Sequence, residues 1–435
     1  MQYDLLIKNG TVVSSKFNRK FDIAVKNGKI AAVFESGICE KNEAVRVYDA
    51  DGQFVLPGIV DAHVHFRTPG LSYKEDFATG SNSAVHGGVT TVLDMPNVKP
   101  ITNTRRLLLE RVETAQKECL VNIGFFALLT EDNIDEMSGM AEAGAVGFKI
   151  FLGTSTGNIA APSDGVMFDQ LKKAHDLDMR IGYHAENNDI NEYFSSKLRS
   201  CGVNTADCLI EARPVFSEVE AVCRAIVFAQ ATNTKIHIFH VSCGQTVDII
   251  RKARRDGVDV TCETAPHYLL LNNTAYSKKG AVIKAFPTIK SEADRLKLWE
   301  GIADGTIDMI ATDHAPHTLE EKSGNDIWKV TGGVAGVEIG PRLMLNEVSK
   351  GNLTINQFVK LYCERPSEIW RLNDSGFILP GARADITVVD MSRKSVIKDS
   401  LLHGKNNVTA FDNTEVVGAP VLTIVSGKVF DITNN

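Results

Sequence analysis

Residues 58–67 read GIVDAHVHFR, a short apolar, β-rich run that ends in two histidines set two apart, His63 and His65. The period of a strand puts both imidazoles on one face, where they can bind one metal ion. Working outward, similar runs occur at 89–94, 121–128, 145–151, 179–184, 235–241, 258–263 and 307–312. Helical stretches such as 104–118, 166–177, 217–232, 244–255 and 291–303 separate most of them. With 58–65 these runs make eight strand–helix units, which predicts an α/β chain folded as a (β/α)8 TIM barrel. A dinucleotide-binding sheet fits less well, because Gly87-Gly88 precedes its strand and no GxGxxG follows one.

In such a barrel the chemistry sits at the C-terminal ends of the strands, so those ends test fold and function together. The fourth run ends GFKIF with Lys149 inside it, and the fifth ends IGYHAEN with His184. The sixth ends IHIFHVS with His237 and His240, and the eighth leads into Asp313, His314 and His317. A single buried lysine or histidine is ordinary packing. Five strand ends of eight bearing His, Lys or Asp point instead to a metal centre.

These stretches, with GGVTTVLDMPN (87–97), ETAPHYLLL (263–271) and ATDHAPHTLEEK (311–322), resemble the dihydroorotase branch of the amidohydrolase superfamily over nearly the whole chain. The resemblance implies two divalent metal ions, with zinc the expected metal. His63, His65 and Asp313 would bind one and His184 and His240 the other, bridged by a carboxylated Lys149. It makes Asp313 the catalytic base as well as a ligand. It also implies that Arg67, Asn97 and His317 grip the carboxylate of a small anionic cyclic amide, interconverting dihydroorotate and carbamoyl aspartate in pyrimidine biosynthesis. His237, at odd spacing from His240, is expected to face the packing helices. Glu186 reads either as a carboxylate orienting His184 or as a solvated loop residue, and His267 fits the family's Pro-His pair. His86, His175 and His403 read as structural.

The chain departs from the family after the seventh strand. Where dihydroorotases carry an Asn-Pro-Pro-Leu-Arg-like stretch, this chain reads AFPTIK (285–290), with Phe286 for the Asn and Lys290 for the Arg. A phenyl ring cannot supply an amide's hydrogen bonds. The alternative enzymes are hydantoinases, dihydropyrimidinases and allantoinases, which share the ligands; against a hydantoinase, FLGTSTGN (151–158) lacks a Tyr after Lys149. A non-catalytic scaffold of the superfamily is the alternative from another class, and the complete ligand set argues against it. The polar stretch from His314 to Lys329 is expected to border the active-site mouth and to move in the absence of substrate.

Both ends of the chain read as strands and tight turns: Asn27-Gly28 between FDIAVK and KIAAVF, and Ser426-Gly427 inside APVLTIVSGKVFD. Neither end closes a sheet alone, so 1–56 and 371–435 are expected to form one small β-sandwich beside a barrel over 57–370. A net charge of −7 and the absence of a Lys/Arg block argue against nucleic acid as partner. No apolar stretch reaches membrane-spanning length, and the N-terminal MQYDLLIKNGTVV does not read as a signal peptide. Eight cysteines without a CxxC pair read as mostly buried residues of a reducing, cytoplasmic protein. A homo-oligomer is compatible with all of this.

Overall fold

The computed structural model describes residues 2–38, 43–154 and 159–433; Cys39 and the 155–158 part of the FLGTSTGN segment lie outside them. Eight parallel strands follow one another in chain order: Ile59–Val64, Val89–Asp94, Asn122–Leu128, Gly147–Phe151, Ile181–His184, Ile236–Ile238, Val260–Thr264 and Met309–Ile310. The ring closes where the first strand meets the segment beyond the eighth. Val64 bridges His314 in parallel, and the His65 N–H donates to the His314 carbonyl at 2.8 Å. Closure therefore brings the HxH motif and the Asp-His motif side by side. The barrel interior is packed by Ala62, Leu93, Phe126, Phe239 and Met309, and Trp370 caps that cluster, its ring 4.7 Å from that of Phe126.

Helices fill the outside, each with local reasons to start where it does. Asp76 and Ser291 form capping boxes at the helices Phe77–His86 and Glu292–Asp304, satisfying backbone donors that would otherwise be orphaned. The chain ends build a nine-stranded mixed sheet. Phe54–Pro57 lies between Ile386–Ile397, antiparallel, and Thr11–Val13, parallel. Strand Asn18–Lys26 pairs with Thr11–Val13 at its start and with Tyr3–Lys8 farther along, so it passes between two parts of the domain. Ile7, Ile23, Ile386 and Leu422 then share one buried cluster. Both expected hairpin turns form: Asn27 and Gly28 have φ of 51° and 73°, and Ser426 and Gly427 of 50° and 81°. Among the described cysteines, four are buried and three are not. No helix of the described residues is long and apolar enough to cross a membrane.

Candidate metal centre and active site

The C-terminal strand ends converge as the spacing predicts. His63, His65 and Asp313 offer ligand atoms that all lie within 4.8 Å of one another. Asp313 Oδ1 is 3.3 Å from His63 Nε2 and 3.2 Å from His65 Nε2. Next to them His184 Nδ1 faces His240 Nε2 at 2.9 Å, and the His63 and His240 ring centroids are 5.4 Å apart. Lys149 lines the same pocket. Its buried Nζ has no hydrogen-bond partner and sits 3.7 Å above the Phe239 ring.

Three of the four imidazoles are fixed from behind. The far nitrogen of His63 donates to Glu263 Oε1 (2.6 Å), that of His65 to Asn97 Oδ1 (2.8 Å) and that of His184 to Glu186 Oε2 (2.9 Å). Each partner leaves the lone pair of the other nitrogen aimed into the pocket, the arrangement that metal-binding histidines use. Burial lowers the pKa of all four rings, that of His65 to about 4, so they are neutral donors. Burial works to raise the Asp313 carboxyl, but His63 and His65 hold it well below the usual carboxylate range. Burial also pulls the Lys149 amine down to about 7. Neutral imidazoles, an ionised carboxylate and an unpartnered amine form a donor set that fits divalent cations.

Glu186 is thus a buried partner of His184 rather than a solvated residue, and it is also gripped by Arg213. The expectation for His237 is corrected. Its ring lies inside the barrel against Phe239 and Trp370, with Nδ1 2.8 Å from Thr261 Oγ1 and Nε2 3.3 Å from Glu263 Oε2. The strand ends at Ile238, and a positive φ of 39° at His240 redirects the chain so that His237 and His240 both point inward.

The three residues expected to hold a carboxylate are differently engaged. Arg67 is 1% exposed and lines the pocket, with Nε and Nη1 lacking any hydrogen-bond partner. Asn97 supports His65. His317 accepts from Lys74 Nζ at 2.9 Å through Nδ1 and donates to the Gly332 carbonyl at 3.0 Å through Nε2. Burial, then Arg67 and Lys74, push its pKa far below the imidazole range, so the ring is neutral. Sequence reasoning missed Glu263, Lys74 and Arg213. Glu263 was legible: it is a lone carboxylate near the end of a barrel strand, as Lys149 is a lone amine in its own. Lys74 and Arg213 lie in irregular segments and carry no such mark.

Residues 54–430 match the model of the amidohydrolase family. The allantoinases of Salmonella paratyphi B and Salmonella newport are 33% identical, over 99% of this chain and 96% of theirs. Among solved structures, the L-hydantoinase (dihydropyrimidinase) of Arthrobacter aurescens superposes with a TM-score of 0.96 at 32% identity, covering 100% of this chain and 97% of its own. The dihydropyrimidinase of Brevibacillus agri gives 0.91 at 26% identity, over 98% and 94%. These relatives bear the names allantoinase, hydantoinase and dihydropyrimidinase, whereas the sequence motifs resemble dihydroorotase. The chain belongs to the amidohydrolase family, on its cyclic-amidohydrolase branch.

Proposed function

We propose that the protein hydrolyses the amide bond of a cyclic ureide, as its allantoinase and hydantoinase relatives are named for doing. The observation that carries the reading is the convergence of His63, His65, His184, His240 and Asp313 around the unpartnered Lys149 amine. His63, His65 and Asp313 would hold one divalent ion, zinc by preference, and His184 and His240 a second. The Lys149 amine would add to carbon dioxide, forming an N–C bond and losing a proton, and the carbamate, with one negative charge shared over two oxygens, would complete the donor set. Divalent ions bound there would lower the pKa of water and polarise an amide carbonyl. Asp313 would take the proton of the attacking water and return it to the ring nitrogen as the C–N bond breaks. Glu263, Asn97 and Glu186 keep the ligand rings in register. Phe286 presents an apolar wall, so hydrogen bonds to the ring fall to backbone groups.

One observation favours a second reading. A buried guanidinium with two unpartnered nitrogens in the pocket suits an anionic substituent, which returns dihydroorotate to consideration with Arg67 as the grip. Side-by-side kcat/KM for hydantoin, dihydrouracil, allantoin and dihydroorotate, with metal analysis of the same preparation, tests both. Turnover of the neutral ureides above dihydroorotate is the expected result. A strong preference for dihydroorotate would replace the first reading with the second, and a metal-free protein inactive on all four would overturn both.

A further inference from the structure

Phe286 and Lys290, the two departures from the dihydroorotase pattern, meet at one residue that no motif singled out. The Arg213 guanidinium lies over the Phe286 ring, with Cζ 3.8 Å from its centroid. The same group makes two bonds to Glu186, Nε to Oε1 at 3.0 Å and Nη2 to Oε2 at 2.5 Å, and Nη2 reaches the Thr154 carbonyl at 3.3 Å. Glu186 in turn accepts from His184. The Arg213 backbone is held as well, because its carbonyl accepts from the buried Lys290 Nζ at 2.6 Å. Phe286 has little freedom of its own: a Cβ on Gly332 would sit 2.9 Å from its ring, so only glycine fits there. Phe286 also lines the metal pocket.

We infer that Arg213 is a positioning residue that couples the substrate-facing wall to a metal ligand, its planar guanidinium holding Phe286 through one face and the His184–Glu186 pair through its edge. This rests on reading His184 as a ligand. Only a flat, forked cation can stack on a ring and grip both oxygens of a carboxylate together. Without it the Glu186 carboxylate can turn, His184 loses the partner that directs its Nδ1 lone pair inward, and Phe286 loses its backing. One substitution therefore perturbs metal affinity and substrate preference together, where Glu186 and Phe286 variants each perturb one.

The test reconstitutes metal-free full-length wild type, Arg213→Lys, Arg213→Met, Glu186→Gln and Phe286→Leu with Co2+ and with Zn2+. It reads stoichiometry, the Co2+ absorption spectrum, affinity by chelator competition, and relative kcat/KM across the four ring substrates; circular dichroism checks the fold. Arg213→Lys is expected to lose about 10–100-fold in affinity for one of two metal equivalents, with an altered Co2+ spectrum and a shifted ring preference. Glu186→Gln should reproduce the metal defect and Phe286→Leu the preference shift. A folded Arg213→Lys with wild-type affinity, spectrum or ring preference overturns the inference, and because lysine keeps the charge this arm decides even if Arg213→Met does not fold. Wild type that takes up no second equivalent overturns the metal-centre reading and the inference with it; normal wild-type uptake with unaffected variants overturns the inference alone.

Discussion

At the residue scale, three side chains that meet in the pocket stand on left-handed backbone: φ is 62° at Arg67, 39° at His240 and 48° at Asp313. Such conformations are costly for non-glycine residues and persist where a site needs a side chain aimed against the run of the chain. Strand alternation cannot foresee them, which is why His237 was expected on the outside. Lys149→Ala should lose most bound metal by elemental analysis, with partial return of activity on adding small carboxylates; full metal content in that variant would contradict the carbamate bridge. Glu263→Gln should weaken metal binding about 10–100-fold by releasing His63, read by chelator competition. Arg67→Met should leave metal content intact. If dihydroorotate is a substrate at all, the variant should cut its kcat/KM about thirty-fold to several-thousand-fold, since removing one partner of a buried charged pair costs about 2–5 kcal/mol. Hydantoin turnover should change little.

At the element scale, the segment beyond Asp313 forms one side of the pocket through Ala315, Gly332 and Gly333. Two buried lysines staple it. Lys322 Nζ donates to the carbonyls of Gly333 (2.8 Å), Lys284 and Thr331 (each 3.2 Å), and Lys284 Nζ to those of Ile327 and Val330 (each 2.6 Å). Carbonyls left without a donor in a buried position are expensive. Lys322→Met should therefore lower stability by about 1–3 kcal/mol, seen as a lower Tm. It should also open the stretch between His314 and Gly333 to limited proteolysis, while an unchanged digestion pattern would show that the staples do not order the loop.

At the scale of the whole molecule, the two chain ends share a sheet, and Phe54–Pro57 just ahead of the first barrel strand is paired by Ile386–Ile397. A chain truncated before Ile386 would leave that strand with an open edge and would expose Val55 and Leu56, both fully buried in the intact protein. Truncation at 380 should therefore give insoluble protein, even though every residue of the site is retained. A soluble, monodisperse truncated barrel, measured by size-exclusion chromatography, would mean that the terminal domain is dispensable to the fold.

Some of this organisation is written in local pattern. The eight barrel strands, the Asn27-Gly28 and Ser426-Gly427 hairpins and the placing of His63 and His65 beside Asp313 follow from periods and turn chemistry that act over a few residues, and these appear in the structure. Other features have no local signal. Glu263 supports His63 from 200 positions away, Arg213 joins Phe286 to Glu186 across three segments, and His317 is committed to Lys74 and Gly332 instead of reaching for a ligand. Each depends on which strand ends become neighbours when the barrel closes. Residue type and spacing determined what chemistry the chain can hold; closure of the barrel decided which partners orient each group, because hydrogen bonds between distant segments exist only once those segments pack.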